Sequence, residues 1–270
     1  MIKHRLVESQ SPMKKQIGDI EVFYTIEGQG PWLTLSHSLA CNTGMWDAQA
    51  ALLSKDFTVL RYDTRGHGQT TATPGPYSLE QLANDAYGLL SGLGVTQTHW
   101  MGISLGGMIG QTIALKYPTL FTSLMLVDTT SRRPDNAQAM WDSRIAIAKS
   151  EGMAGLVQST LERWFTEPFR VNNAQTIRPI ADGILSTSVD GFSGCCSAIA
   201  TINTLDRLHE IKCPALVIVG AQDHGTPPAM AKLIHEHLPN SEYLVIDDAA
   251  HIANVEQPEI FNHHDLHLGC

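Results

Sequence analysis

The sequence predicts an α/β protein with a mostly parallel sheet of about eight strands, flanked by helices and interrupted by one helical insertion. Short apolar stretches alternate with helical ones over most of the chain, which is the pattern of a parallel sheet covered on both faces. A chain of 270 residues is long enough to bury one large core. Residues 132–208 break the alternation, because they contain helical patterns and no convincing strand.

The predicted strands are short and follow one another along the chain. The first two alternate apolar and polar side chains and form a hairpin about Gly18-Asp19. The other six are apolar segments of the kind that is buried in a parallel sheet. The eight predicted strands are Lys14 to Ile17, Ile20 to Ile26, Trp32 to Ser36, Phe57 to Tyr62, Thr98 to Met101, Ser123 to Val127, Ala215 to Val219 and Tyr243 to Ile246.

Helices are predicted between these strands and throughout the insertion. The clearest, Leu79 to Ser91, has Ser78 as its N-cap and Gly92 after its last residue. Residues 1–131 and 209–270 are predicted to form the core, and residues 132–208 a helical cap, or lid, over a site. The other predicted helices are Gly107 to Lys116, Ala137 to Lys149, Met153 to Phe165, Asn172 to Thr187 and Pro228 to His237.

The pentapeptide Gly102-Ile103-Ser104-Leu105-Gly106 lies between a predicted strand and a predicted helix. Gly-x-Ser-x-Gly at such a junction is typical of a nucleophile elbow, a tight turn that projects the serine hydroxyl above a sheet. A β-carbon at either glycine would clash with the neighbouring strand and helix. We therefore expect Ser104 to be a catalytic nucleophile, and a serine nucleophile needs a base and an acid that orients that base.

A suitable acid and base follow later in the chain. Asp223 comes just after the strand Ala215 to Val219, and His251 just after Tyr243 to Ile246. Both positions lie at the carboxyl ends of parallel strands, where open α/β sheets bind ligands. The order Ser, Asp, His is that of α/β-hydrolases. Asp128 is the alternative acid, because it ends the strand Ser123 to Val127.

An oxyanion formed on the substrate needs preorganised N–H donors. The elbow predicts the backbone N–H of Leu105 as one donor, and the loop after the strand Trp32 to Ser36 predicts that of Leu39 as the other. With these donors, Ser104, Asp223 and His251 would form and then hydrolyse an acyl-enzyme.

Four segments resemble the 3-oxoadipate enol-lactonases, which are serine α/β-hydrolases that open an enol-lactone ring without a cofactor. These segments are GISLGGMIGQ (Gly102 to Gln111), LRYDTRGHG (Leu60 to Gly68), DGFSGCCSAI (Asp190 to Ile199) and AAHIANVEQPEIFN (Ala249 to Asn262). The resemblance runs from about Met13 to Asn262. It implies the same triad and oxyanion residues, lactone ring opening and no cofactor. His37 departs from the family pattern, in which asparagine is more usual, and this departure bears on the identity of the substrate.

The expected substrate is a small-molecule ester or lactone, bound in a pocket for which His37, Trp141 and Trp164 are candidates. Arg132 or Arg133 could bind a substrate carboxylate, although a solvated face explains them equally well. The first hypothesis is hydrolysis of a 3-oxoadipate enol-lactone-like substrate. The alternatives are hydrolysis of N-acyl homoserine lactones or short-chain esters, perhydrolysis or acyl transfer, and a non-enzymatic ligand receptor with the same fold.

Charge and composition disfavour other classes of function. The net charge of −9 argues against a nucleic-acid partner, and no apolar run is long enough to span a membrane. Five cysteines without metal-site spacing and no secretory signal favour a reduced, cytoplasmic protein. No metal is expected, because His263, His264 and His267 lack a second ligand cluster. The sequence leaves open the oligomeric state and whether residues 1–12 and 263–270 are native.

Overall fold

The structure, a computed structural model, describes residues 13–265. The predictions for residues 1–12, His267 and Cys270 therefore lie outside the described residues. The eight predicted strands are confirmed, and their bounds differ from the predicted ones by no more than two residues. The strands are β1 (Met13–Ile17), β2 (Ile20–Glu27), β3 (Trp32–Ser36), β4 (Thr58–Tyr62), β5 (Thr98–Ile103), β6 (Phe121–Val127), β7 (Ala215–Gly220) and β8 (Ser241–Ile246).

One sheet contains all eight strands in the order β1-β2-β4-β3-β5-β6-β7-β8. β1 and β2 pair in antiparallel fashion at one edge, β2 pairs antiparallel with β4, and the remaining pairs are parallel. Every residue of β5 and β7 is buried, as expected for central strands of a sheet covered on both faces. Because these strands are parallel, the carboxyl ends of β3, β5, β7 and β8 lie at the same edge of the sheet.

The helices cover the sheet and form the inserted segment. Two short 3₁₀ helices, Thr43–Trp46 and Leu205–Glu210, accompany them. The α-helices are α1 (Asp47–Leu53), α2 (Leu79–Gly92), α3 (Leu105–Lys116), α4 (Ala137–Glu151), α5 (Ala154–Trp164), α6 (Glu167–Asn172), α7 (Ala174–Ser186), α8 (Val189–Ile199), α9 (Pro228–His237), α10 (Ala253–Glu256) and α11 (Pro258–Asp265). Ser78 caps α2 as predicted, because its Oγ accepts a hydrogen bond from the Gln81 N–H at 3.1 Å.

The segment between β6 and β7 contains five α-helices, α4 to α8, where the sequence predicted three. The predicted helix Asn172 to Thr187 corresponds to α7, which begins at Ala174, and Asn172 instead ends the separate short helix α6. α6 is too short to show periodicity. α8 contains Gly191 and Gly194, and the low helix propensity of glycine makes this helix hard to predict from the sequence.

α8 packs against the loop after β4 through two glycines. A Cβ added to Gly191 would lie 2.2 Å from the carbonyl oxygen of Gly66, and Gly66 itself has φ +75°. Only glycine allows this backbone approach and this conformation. Asp63 closes the same loop by accepting hydrogen bonds from the N–H groups of Thr43 (2.7 Å) and Gln69 (2.8 Å).

None of the helices within residues 13–265 has both the length and the apolar character that a membrane crossing requires.

Candidate active site

Ser104 lies at the sharp turn between β5 and α3 and has φ +54° and ψ −113°. This backbone conformation is strained for a residue with a β-carbon and persists only where the surroundings enforce it. A Cβ on Gly102 would lie 2.2 Å from the Gly106 carbonyl oxygen, and one on Gly106 would lie 2.1 Å from that of Ser36. Both glycines are therefore needed for the turn, which has the geometry of a nucleophile elbow.

Hydrogen bonds connect Ser104, His251 and Asp223 in a chain. The Ser104 hydroxyl lies 2.9 Å from Nε2 of His251 and can donate to it. Nδ1 of His251 donates to Oδ2 of Asp223 at 2.8 Å. The three residues follow β5, β8 and β7, so the common edge of the sheet brings together side chains that are distant in sequence. This arrangement is that of a serine hydrolase triad.

The Asp223 carboxylate is buried, and both of its oxygens accept hydrogen bonds. Its Oδ1 accepts from the N–H groups of Gly225 (2.7 Å) and Thr226 (3.0 Å), and its Oδ2 also accepts from the Thr226 hydroxyl at 2.7 Å. Burial raises the pKa of Asp223, but the adjacent His251 and these hydrogen bonds outweigh burial and lower the pKa overall. Asp223 is therefore held as a carboxylate whose orientation towards His251 is fixed.

Asp128, the alternative acid, accepts hydrogen bonds from backbone N–H groups instead of from His251. Its Oδ1 accepts from the Gly220 N–H at 2.8 Å and its Oδ2 from the Ala253 N–H at 3.2 Å. Burial and the nearby charge of Asp223 raise its pKa well above the usual range. No hydrogen bond joins Asp128 to His251 among the described residues, so it links β7 to α10 while Asp223 contacts the histidine.

One predicted oxyanion donor lies in the elbow and the other in the loop after β3. Leu105 is the first residue of α3, where a helix leaves its N–H groups without intrahelical acceptors. Leu39 lies in the loop after β3 and lines the same cavity as Ser104. Within residues 13–265 neither N–H donates a hydrogen bond to another residue. Both remain available to an oxygen of a ligand.

A cavity lies between this edge of the sheet and the inserted helices. Ser104 and His251 line it, as do Trp141 of α4 and Trp164 at the end of α5. The prediction that His37 lines the pocket is wrong. The His37 ring is fully buried, with Nδ1 donating to the Ser38 carbonyl (2.7 Å) and Nε2 accepting from the Thr64 N–H (2.9 Å).

Of Arg132 and Arg133, either of which could bind a substrate carboxylate or form part of a solvated face, Arg133 lines the cavity. Arg132 does not; it pairs with Asp206 at 2.6 Å on the surface. Arg144 and Arg163 also line the cavity, and neither is predictable as a site residue from the sequence. Thr226 is likewise absent from the predicted site residues, although a hydroxyl three residues after Asp223 is a recognisable carboxylate partner.

Among the side chains that the structure describes, no group of three or more His, Cys, Asp or Glu residues is arranged to hold a metal ion. His267, one of the three tail histidines, lies outside the described residues.

Comparison with known proteins places this site in a family. A sequence profile described as the alpha/beta hydrolase fold matches residues 31–258. The chain belongs to the α/β hydrolase fold family. The predicted fold class is thereby confirmed.

Individual α/β hydrolases resemble the chain over nearly its whole length. The 3-oxoadipate enol-lactonase 2 of Acinetobacter baylyi is 36% identical over 247 residues, which cover 91% of this chain and 91% of that protein. The crystal structure of the enol-lactonase from Burkholderia xenovorans superimposes with a TM-score of 0.91 and 33% identity, covering 94% of this chain and 98% of that one. A thermophilic esterase from Thermogutta terrifontis, solved with malate bound, gives a TM-score of 0.89 and 28% identity, covering 95% and 97%. The predicted resemblance to enol-lactonases is therefore confirmed.

Proposed function

We propose that this protein is a cofactor-free serine hydrolase that cleaves carboxylic ester or lactone bonds through an acyl-enzyme. The observation that carries the proposal is the chain of hydrogen bonds from Ser104 through His251 to Asp223 at the floor of a cavity. A hydroxyl, an imidazole and a carboxylate in this order are the groups that acyl transfer by a serine requires.

In the acylation step, Ser104 Oγ attacks the substrate carbonyl carbon while His251 Nε2 accepts the hydroxyl proton. The carbonyl oxygen becomes an oxyanion, which the N–H groups of Leu39 and Leu105 stabilise. His251 then donates the proton to the leaving oxygen as the carbonyl re-forms. Asp223 keeps Nδ1 of His251 protonated and stabilises the imidazolium that forms in between.

In the deacylation step, His251 takes a proton from water, and the resulting hydroxide equivalent attacks the acyl carbon. Ser104 leaves with the proton that His251 returns to it, and a carboxylic acid is released. With a lactone the leaving oxygen stays attached to the acyl group, so the product is a single ring-opened acid. Ring opening therefore uses the same residues as ester hydrolysis.

The substrate class follows from the relatives. Proteins named enol-lactonase match this chain in sequence and in structure, which supports lactone opening of the 3-oxoadipate enol-lactone type as the first choice. Residues 132–208 are proposed to act as a cap that shapes the pocket, because Trp141 and Trp164 of this segment line the cavity above Ser104. N-acyl homoserine lactones and short-chain esters are the alternative substrates.

We also propose a cytoplasmic location. Among the described residues, Cys41, Cys195, Cys196 and Cys213 are all free thiols, as is usual in a reducing compartment. A purified protein whose melting temperature is unchanged by dithiothreitol agrees with this assignment, whereas a marked fall in melting temperature contradicts it.

Hydrolysis of 4-nitrophenyl acetate tests the catalytic proposal. The wild type should turn over this ester and should be labelled at Ser104 by a serine-directed phosphonate, and Ser104→Ala should abolish both. Activity that survives in Ser104→Ala would refute the assignment of the nucleophile. A wild type that neither turns over the ester nor reacts with the phosphonate would favour the ligand-receptor hypothesis.

A side-by-side panel of an enol-lactone, an acyl homoserine lactone and graded 4-nitrophenyl esters tests the substrate class. The highest kcat/KM is expected on the enol-lactone. Hydrogen peroxide or an alcohol added to the ester assays competes with water for the acyl-enzyme, and the products show how the acyl group partitions between them. Predominant peracid or transferred ester would point to perhydrolysis or acyl transfer instead of hydrolysis.

A further inference from the structure

Two arginines of the inserted helices point into the cavity that contains Ser104. Arg144 belongs to α4 and Arg163 to α5, and both line this cavity. Neither has a role in the triad or in the stabilisation of the oxyanion. Their position above the reacting centre therefore calls for a separate explanation.

Neither guanidinium has a carboxylate partner among the described residues. In the described part of the chain, Arg163 makes no hydrogen bond or ion pair, and Arg144 donates only from Nη2 to the Thr160 hydroxyl at 2.8 Å. Nε of Arg144 is buried and has no hydrogen-bond partner. By contrast, the buried Arg65 pairs with Asp19 and Asp85, each at 2.7 Å. A partly buried guanidinium without a counter-charge is unfavourable, so the two cap arginines are arranged for something other than stability.

The pKa shifts of Arg144 and Arg163 also indicate that the pair lacks a counter-charge. Burial, together with the nearby charge of Arg163, lowers the pKa of Arg144 to about 10. Burial also lowers the pKa of Arg163, and the negative charge of Asp223 only partly opposes it. Two positive charges thus repel each other in a partly buried pocket, and a bound anion would relieve both the repulsion and the lost hydration.

Aromatic rings pack against Arg144, and Arg163 lies close to the triad histidine. Cζ of Arg144 lies 5.9 Å from the ring centres of both Trp141 and Phe192, which is within cation–π range. Arg163 and His251 flank Gly225: a Cβ built on this glycine would lie 3.5 Å from Nη2 of Arg163 and 3.6 Å from Nδ1 of His251. Since Arg144, Arg163 and Ser104 line one cavity, a small molecule that Ser104 attacks can also place an anion on these arginines.

We propose that Arg144 and Arg163 together bind a carboxylate of the substrate, so that the preferred substrate is an ester or lactone that carries a free carboxylate. Guanidinium groups suit this role because their N–H donors match the two oxygens of a carboxylate. The inference rests on the proposed hydrolytic function and narrows it. 3-Oxoadipate enol-lactone carries such a carboxylate, whereas N-acyl homoserine lactones carry none.

Matched chromogenic esters test this subsite. Mono-4-nitrophenyl esters of succinate, glutarate and adipate each carry a free carboxylate, and their methyl-capped diesters are the neutral counterparts. The wild type should favour the best charged ester over its capped counterpart in kcat/KM by about 10- to 100-fold, the range expected for hydrogen bonds to a charged group. Turnover of both forms with equal kcat/KM would overturn the inference while leaving the hydrolase proposal intact.

Variants assign the preference to the two residues. In Arg144→Met and Arg163→Met the ratio of charged to capped kcat/KM should fall towards one, mainly through a higher KM for the charged ester. Arg170→Met is the matched control, because Arg170 lies in the inserted helices and does not line the cavity. It should keep the wild-type ratio. Equal loss on both esters in the Arg144 and Arg163 variants would show a structural role and overturn the inference.

Inhibition of the wild type provides a readout that does not depend on how the variants fold. Glutarate should inhibit 4-nitrophenyl acetate hydrolysis competitively, and less strongly as ionic strength rises, whereas glutaramide should inhibit weakly or not at all. Equal inhibition by the acid and the diamide would contradict carboxylate binding. Absence of any ester turnover would instead count against the hydrolytic function itself.

Discussion

Glu256 accepts two hydrogen bonds from Thr166, one from its backbone N–H (2.9 Å) and one from its hydroxyl. Glu256 and Thr166 are far apart in the sequence. Thr166 is the N-cap of α6 in the inserted segment, and Glu256 ends α10, just after the loop that carries His251. The second carboxylate oxygen of Glu256 accepts from the Ala250 N–H at 2.8 Å. One buried carboxylate therefore joins the inserted helices to Ala250, the residue that precedes His251.

Replacing Glu256 with glutamine should lower kcat with little change in KM. The glutamine side chain has one carbonyl oxygen that accepts and one NH₂ group that only donates, so this NH₂ group must face either the Thr166 or the Ala250 N–H. The His251 loop should shift as a result, and a misplacement of about 1 Å can reduce turnover roughly 100-fold. Steady-state kinetics on 4-nitrophenyl acetate measure the effect.

Glu259→Gln is the matched control for this change, because Glu259 is an exposed carboxylate on α11. It should have wild-type kinetics. A Glu256→Gln variant that melts at a lower temperature but keeps its kcat would show that the carboxylate only stabilises the fold.

The two candidate acids should separate cleanly by mutation. Asp223→Asn should reduce kcat by roughly 10³- to 10⁴-fold, because asparagine cannot hold His251 in the required tautomer or stabilise its cation. Asp128→Asn should keep most of the turnover but lower the free energy of unfolding by about 1–3 kcal/mol, since one backbone N–H loses its acceptor. Kinetics and urea unfolding of both variants decide the matter. Collapse of turnover in Asp128→Asn alone would reverse the assignment.

Gly191→Ala should destabilise the protein, because its methyl group would be forced against the backbone of Gly66. Overpacking of this kind lowers the free energy of unfolding by about 1–3 kcal/mol. Gly183→Ala in α7 is the control: its nearest neighbour is the tip of the Asn42 side chain at 3.3 Å, and alanine favours a helix. It should be neutral or stabilising. Equal midpoints of urea unfolding for the two variants would contradict the close approach of α8 to the core.

Acid should destabilise the fold through buried histidines. Burial lowers the pKa of His37 to about 4, against about 6.5 in an unfolded chain. The unfolded state therefore binds this proton first, and the folded state loses stability as the pH falls from 6.5 to 4. Burial, reinforced by His37, lowers the pKa of His67 to about 3, with the same sign.

His37→Gln should weaken this pH dependence, because glutamine does not titrate and its carbonyl oxygen can still accept from the Thr64 N–H. Between pH 7.5 and 5.0 the variant should lose less stability than the wild type, by on the order of 2 kcal/mol. Urea unfolding at the two pH values measures this difference. His209→Gln, at an exposed position, should behave like the wild type. An identical loss in wild type and His37→Gln would contradict the prediction.

The parts of the site that depend on sheet topology could be predicted from the sequence. Ser104, Asp223 and His251 each follow an apolar strand, and parallel strands bring their carboxyl ends to one edge. The structure brings these three side chains into hydrogen-bond contact. The two glycines of the elbow were also predictable, because the need for a tight turn is local.

The parts that depend on side-chain direction could not be predicted. His37 is close in sequence to Leu39, yet its ring turns away from the cavity to accept a hydrogen bond from Thr64. Arg144 and Arg163 lie on separate helices, and only the packing of α4 against α5 brings them into one pocket. Helical periodicity shows which face of a helix is apolar and does not show which other helix it meets.

The backbone of Ser104 has a consequence for laboratory evolution of this protein. Its positive φ suits glycine, so a serine there opposes folding by about 1–3 kcal/mol, which exceeds the roughly 0.5–1 kcal/mol that glycine loses through its greater freedom when unfolded. We therefore expect a library screened for heat resistance alone to enrich glycine at position 104 and so to lose the hydroxyl that we propose as the nucleophile. Each round of such a screen must therefore select for ester turnover as well as for heat resistance.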